Sequence, residues 1–238
     1  MVKLTSAEIK AIRSLSAKKF RDSEGLFVVE GEKMVSEALA SPSFKIERLL
    51  RREEIGQEQM SRISSLDSPS PVLAVVRKAP LKKAEAGRGL FLALDSVRDP
   101  GNLGTIMRIA DWFGIDGIFA SEDTVDQYNP KVVQASMGAI FRKTVTYCDL
   151  SELCESFSRA GLPVYGTFLD GEDIYGCDLS PEGLVIMGSE SFGISDEVGR
   201  HVDSRLRIPS YAEGPGSESL NVAVATAVTV AEFKRRSR

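Results

Sequence analysis

The chain has 238 residues, 42% of them hydrophobic and 27% charged, with a formal net charge of −4. No apolar run reaches the roughly 18 residues that a membrane-crossing helix needs, and the amphipathic start MVKLTSAEIKAIRSL lacks the apolar stretch of a secretory signal. The average charge hides an asymmetry: residues 1–88 carry 17 Lys/Arg against 12 Asp/Glu, whereas 89–238 carry 13 against 22, so the basic front suits an anionic partner or is an ordinary solvated surface.

Taken along the chain, periodicity predicts a helix over 5–19, a strand over 26–29, a helix over 32–40, a strand over 46–50, a helix over 53–66 and a strand over 72–76. These form a small α/β domain, 1–85. The Lys/Arg/Ala/Gly-rich segment RKAPLKKAEAGRG (77–89) reads as its boundary. Over 89–238, strands at 90–94, 117–120, 144–147, 164–168, 184–187 and 206–208 are separated mostly by helices at 104–113, 130–137, 150–160 and 195–202. Strands alternating with helices predict a mostly parallel sheet.

Three segments stand out. RDPGNLGTIMRIA (98–110) leaves a strand, turns through Asp-Pro-Gly-Asn and becomes a helix with Ile106, Ile109, Ala110 and Phe113 on one apolar face. Arg108 points away from that face, behind the C-terminal end of a strand, where open α/β sheets bind ligands. It either serves a ligand or pairs with Asp111. MGSESFGIS (187–195) follows the apolar run LVIM and carries Glu190 between Gly188 and Gly193; it fits neither a Walker A loop nor a dinucleotide fingerprint. GPGSESLNVAVATAVTVAEF (214–233) runs from a loop into a helix that Ser217 or Ser219 can cap. That helix is free of charge from Leu220 to Ala231, so it is a core element, a subunit interface or both, and it ends in KRRSR. Asn221, at its first turn, either satisfies backbone or orients a site residue.

Other chemistries are poorly supplied. The single histidine, His201, lies in a charged stretch and reads as a surface or packing residue. Cys148, Cys154 and Cys177 have no metal-ligand spacing, and their odd number suits the reducing cytoplasm. No metal site is expected.

Taken together, DSVRDPGNLGTIMRIADWFG (95–114), VIMGSESFGIS (185–195) and RIPS…SESLNVAVATAV (207–228) resemble, in order and spacing, the three motifs of the SpoU/TrmH family of RNA ribose 2′-O-methyltransferases. QASMGAIFRKTV (134–145) resembles the family's Ser-x-Gly-Ala segment, and KKFRDSEGLFVVEGEKMVSEAL (18–39) its N-terminal substrate-binding domain. The resemblance implies an α/β fold with a trefoil knot over 89–238, preceded by the small RNA-binding α/β domain. It implies S-adenosylmethionine as cofactor, touched by Gly188, Ile208 and Leu220 and less securely by Thr167. It also implies a homodimer packed through the C-terminal helices. Arg108 then acts on the target 2′-hydroxyl, with Asn102, Glu190, Ser219 and Asn221 at the other polar motif positions. Lys82, Lys83 and Arg88 of the linker become candidates for RNA contact.

Two departures mark this chain. Ser189 stands where many relatives have asparagine, and the stretch 209–218 is about three residues longer than usual. The expected substrate is ribosomal RNA; the alternatives are transfer RNA, a non-catalytic RNA-binding protein with the same fold, and a small-molecule enzyme.

Overall fold

The computed structural model describes residues 3–80, 83–213 and 217–236. Lys82 of the linker, and Gly214, Pro215 and Gly216 of the long loop, lie outside the described residues. Two compact units are present: Met1–Pro80 with Asp126–Arg142, and Leu81–Val125 with Lys143–Arg238.

The first unit is built on a three-stranded antiparallel sheet in the order β1-β3-β2, with β1 at Leu26–Glu30, β2 at Ile46–Arg51 and β3 at Val72–Arg77. The continuous apolar run of β3, Val72 to Val76, is buried throughout, as a central strand covered on both faces requires. The expected helix over 5–19 is two helices, α1 (Ser6–Ser14) and α2 (Lys18–Glu24). Thr5 and Glu8 close a capping box on α1, and Ala17 is extended. Arg21 explains the break. Its buried guanidinium donates to the carbonyls of Leu15 and Ser16 at 2.9 and 2.7 Å and pairs with Asp126 at 2.8 Å. After α3 (Glu32–Ala40), the expected helix over 53–66 is also divided, into α4 (Arg52–Ile55) and α5 (Gln57–Ile63), because Gly56 sits at φ +85° between them.

The second unit holds six parallel strands in the order β6-β5-β4-β8-β7-β9: β4 Leu90–Asp95, β5 Gly117–Ala120, β6 Val145–Tyr147, β7 Val164–Asp173, β8 Gly183–Gly188 and β9 Ser204–Arg207. The chain lays β4, β5 and β6 outward in one direction, then returns to place β8 on the other side of β4. The reversal falls between β4 and β8, and the crevice outside their carboxyl ends is the binding position of such sheets. Of the helices in chain order, α6 (Pro100–Trp112), α8 (Leu150–Arg159), α9 (Asp196–Gly199) and α10 (Val222–Arg236) belong to this unit, whereas α7 (Pro130–Ala135) belongs to the first.

Four local expectations are corrected. Helix α6 begins at Pro100 rather than after a turn at 104, because Asp99 accepts the Asn102 N–H at 2.8 Å and Pro100 suits the first turn. Its buried side is Leu103, Gly104, Ile106, Met107 and Ala110; Ile109 and Phe113 are half-buried. The expected helix at 195–202 is the single turn α9. Strand β7 runs to Asp173, with a four-residue irregularity: Thr167 and Glu172 both lie opposite Leu206. Gly171 makes this feasible, since a Cβ there would lie 2.6 Å from the Leu206 carbonyl carbon.

Helix α10 also differs at both ends. Its cap is Asn221, whose Oδ1 accepts the N–H groups of Ala223 and Val224 at 3.0 and 3.3 Å, rather than Ser217 or Ser219. At the other end the basic tail is docked: Arg236 donates to the carbonyls of Ile174, Tyr175 and Cys177, and Glu232 pairs with Arg235 and Arg236. The core of the second unit gathers Ala93, Leu184, Ile186 and Val164 with Phe119 and Phe157, which places the strand ends on a rigid base.

Candidate functional site

Helix α6 leaves the end of β4 through a strained corner. Ser96 has φ +60°, an uncommon conformation for a residue with a side chain. It is held by its N–H on Ser121 Oγ (2.9 Å) and its hydroxyl on Asp123 (3.0 Å). Arg98 pairs with the same Asp123 at 2.8 Å and, with these hydroxyls, holds its carboxyl at about 2 against the opposing effect of burial. The corner aims the first turn of α6 across the end of β8.

Three polar side chains meet there. Asn102 Nδ2 donates to Glu190 Oε1, and Asn221 Nδ2 donates to Asn102 Oδ1 at 2.9 Å. Residues 88 and 119 positions apart are thereby joined at the β4/β8 switch point. Asn221 can do this because its own carbonyl oxygen is oriented as the α10 cap. Asn221 thus satisfies backbone N–H groups of α10 and hydrogen-bonds Asn102 with the same carboxamide.

Glu190 is carried on a short closed loop. Ser189 and Gly193 exchange two backbone hydrogen bonds at 3.0 and 2.9 Å, and Ser189 Oγ accepts the Phe192 N–H at 3.2 Å. A Cβ on Gly188 would lie 2.1 Å from the Gly193 carbonyl carbon, so only glycine allows the loop to return this closely. Ser189 thus has a structural use inside the loop.

The other expected residues are placed as follows. Arg108 is exposed on α6, roughly 9 Å along the axis from Asn102 at 1.5 Å per residue. Among the described residues no hydrogen bond or ion pair holds its guanidinium. Thr167 Oγ1 donates to the Ile186 carbonyl at 3.3 Å, beside β8. Ile208 is half-buried just past β9, and Leu220 is exposed at the far end of the following loop. Ser219 is exposed beside Asn221 and makes no hydrogen bond to the Asn102–Glu190 pair.

Sequence reasoning passed over Asp95, the last residue of β4. Its buried carboxylate accepts both the N–H and the hydroxyl of Ser195 at 2.8 Å. The available signal was an aspartate closing the apolar run LFLAL. Burial pushes the thiols of Cys148 and Cys154 up to about 11 and about 12, which disfavours the thiolate form. His201 is half-buried at the end of α9. Among the described residues no group of three or more His, Cys, Asp or Glu could hold a metal ion, and no helix is long and apolar enough to cross a membrane.

A parallel sheet with a polar cluster at its switch point is the arrangement in which open α/β proteins bind their ligands. Residues 89–231 match the model of the SpoU rRNA Methylase family, and residues 6–84 match that of the MRM3-like substrate binding domain. The chain belongs to the SpoU rRNA methylase family. It is 31% identical over 238 residues, 94% of each chain, to the 23S rRNA (guanosine(2553)-2′-O)-methyltransferase RlmP of Bacillus subtilis. A TrmH-family RNA methyltransferase from Porphyromonas gingivalis superposes with a TM-score of 0.88 at 39% identity, over 98% of this chain and 99% of that one. An AdoMet-bound rRNA methyltransferase from Sinorhizobium meliloti superposes at 0.86 with 31% identity, over 99% and 98%.

Proposed function

We propose that this protein transfers a methyl group from S-adenosylmethionine to a ribose 2′-hydroxyl of ribosomal RNA. The observation that carries the reading is the meeting of Asn102, Glu190 and Asn221 at the β4/β8 switch point of a SpoU-family sheet. The match of residues 6–84 to a substrate-binding domain, in a relative named for 23S rRNA and similar over both parts, favours ribosomal over transfer RNA.

The residues present fit the cofactor. Gly188, Ile208 and Leu220 offer backbone edges and aliphatic surface around the ends of β8 and β9, a donor set suited to a flat heterocycle, with Thr167 beside them. When bound, S-adenosylmethionine supplies an electrophilic methyl carbon on a sulfonium sulfur. The chain's own task is then to deliver and align the oxygen. The exposed Arg108 guanidinium grips a phosphate or the 2′-oxygen and stabilises developing alkoxide. A guanidinium is a poor base, so the hydroxyl proton leaves to solvent water rather than to Arg108. Asn102, fixed from both sides by Glu190 and Asn221, anchors the first turn of α6, and Ser219 adds a hydroxyl just before the start of α10.

The same reading assigns residues 1–85 to RNA binding and 89–238 to the methyltransferase domain, with the trefoil knot of the family. It also makes the protein a cytoplasmic homodimer. Support for pairing comes from α6 and α10, which pack side by side and leave Trp112 86% and Val224 50% exposed. Light scattering of the purified protein tests it, and a monomer at micromolar concentration rejects it.

The functional test is methyl transfer from labelled S-adenosylmethionine to total RNA from a strain lacking the protein, with the modified nucleotide mapped. Label on one ribosomal 2′-oxygen is the expected result. Label confined to transfer RNA, or cofactor binding with no label on intact ribosomes, assembly intermediates or free RNA, rejects it.

A further inference from the structure

Asp95 is bound to both ends of the loop that carries Glu190. In the parallel ladder it is the last residue of β4 and lies opposite Gly188, where the loop opens. Its side chain, 4% exposed, grips the other end: Oδ2 accepts the Ser195 N–H and the Ser195 hydroxyl, each at 2.8 Å, and Oδ1 accepts the Ser96 hydroxyl at 3.2 Å. Ser195 is in turn the cap of α9, accepting the Val198 N–H at 3.4 Å. Between these anchors Ile194 is buried in the core, whereas Ser189, Glu190, Ser191, Phe192 and Gly193 are half-buried or exposed, so little packing holds the tip of the loop. Asn102, the partner of Glu190, rides on the helix that leaves the same strand.

We propose that Asp95 is a positioning residue that keeps the 188–195 loop in its ligand-competent form and thereby sets the affinity for S-adenosylmethionine; this rests on the functional reading above. The carboxylate touches neither substrate nor cofactor in this scheme. It acts by closing the loop before the ligand arrives. When the closed form is only partly populated, apparent affinity falls by that fraction, while the rate of the saturated enzyme is kept. A carboxylate suits the task because it accepts every donor turned toward it. A carboxamide would keep a neutral oxygen for Ser195 and turn its N–H₂ toward Ser96, whose one hydroxyl proton goes to Asp123, so what it loses is the charge on the Ser195 hydrogen bonds.

The test uses the full-length protein, isothermal titration with S-adenosylmethionine, thermal unfolding without it, and steady-state methyl transfer. Asp95→Asn is expected to weaken binding by about 10-fold, the scale of replacing the charged acceptor of the two Ser195 hydrogen bonds by a neutral one, and to raise the KM for S-adenosylmethionine in step. Turnover at saturation should stay within about threefold. Ser195→Ala, which keeps the backbone N–H on Asp95, should weaken binding by a smaller factor, and it carries the test where Asp95→Asn does not fold. Binding by the folded variants within twofold of wild type overturns the proposal, as does a fall in turnover with unchanged KM. Failure of the wild-type protein to bind the cofactor rejects the functional reading itself and this assignment with it.

Discussion

Asn221 donates to Asn102 at 2.9 Å across 119 residues of sequence, tying the start of α10 to the first turn of α6. The bond needs both carboxamides in one orientation, because Asn221 Oδ1 is held by two N–H groups of its own helix and Asn102 Nδ2 by Glu190. Asn102→Ala and Asn221→Ala should therefore be non-additive. A double-mutant cycle in urea is expected to give a coupling of about 1 kcal/mol. Asn221→Asp preserves the cap but cannot donate, so it should keep stability within about 1 kcal/mol and still lower methyl transfer. Full activity in that variant would remove the orienting role.

Arg108 stands apart from this network and exposed to solvent, as a residue that waits for an anionic ligand should. Arg108→Ala is expected to leave the unfolding midpoint and cofactor binding unchanged. Methyl transfer should fall by about 100-fold or more, the scale of removing a charge-stabilising donor. Arg108→Lys should recover only part of the loss, since a point charge lacks the planar fork. Turnover of Arg108→Ala within threefold of wild type would falsify the assignment.

Gly188 and Gly193 close one loop for different reasons. A methyl group on Gly188 collides with the backbone of Gly193 and Ile194, neither of which is a flexible side-chain end; on Gly193 it meets nothing within 4 Å but must accept φ +69°. Gly193→Ala should cost about 1–2 kcal/mol of conformational strain. Gly188→Ala should cost more than that, at or beyond the usual range of about 1–3 kcal/mol for overpacking, and abolish cofactor binding. Equal chemical-denaturation midpoints for the two variants would contradict the geometry.

Glu232, 6% exposed, is held down to about 2 chiefly by its hydrogen bond to Arg235, with a further one to Arg236, against the opposing effect of burial. A carboxylate lowered in the folded state stabilises above its unfolded value, 4.5, and loses that contribution as pH falls through about 2. Because Arg235 is 68% exposed, screening limits the contribution to about 1 kcal/mol. Glu232→Gln should accordingly lower stability near pH 7 and flatten the acid limb between about pH 5 and 2. Parallel pH-stability curves for the two proteins would show that the pair contributes nothing.

Much of the architecture is written locally. Strands β4, β5 and β8 lie on short apolar runs, and α8 follows a 3.6-residue period, so their existence depends on neighbours a few positions away. Where periodicity misled, a specific side chain or backbone angle intervened. Asp99 drew the start of α6 back to Pro100, Gly56 cut a helix in two, and buried Arg21 drew the carbonyls of Leu15 and Ser16 out of another. The last of these has no local cause, because Arg21 needs Asp126, 105 residues away.

The polar positions of the site were legible only as motif resemblance, since no local pattern distinguishes Asn102 or Asn221 from an ordinary cap. By itself the sequence determined which segments become strands and helices, because those choices follow from apolar period, capping and glycine within a few residues. The tertiary structure alone decided that β8 inserts beside β4, and with it that Asn102, Glu190 and Asn221 meet while Asp95 closes on Ser195. Those contacts span about 90 to 120 positions, and their geometry comes from sheet order and helix direction, which only the packed core fixes.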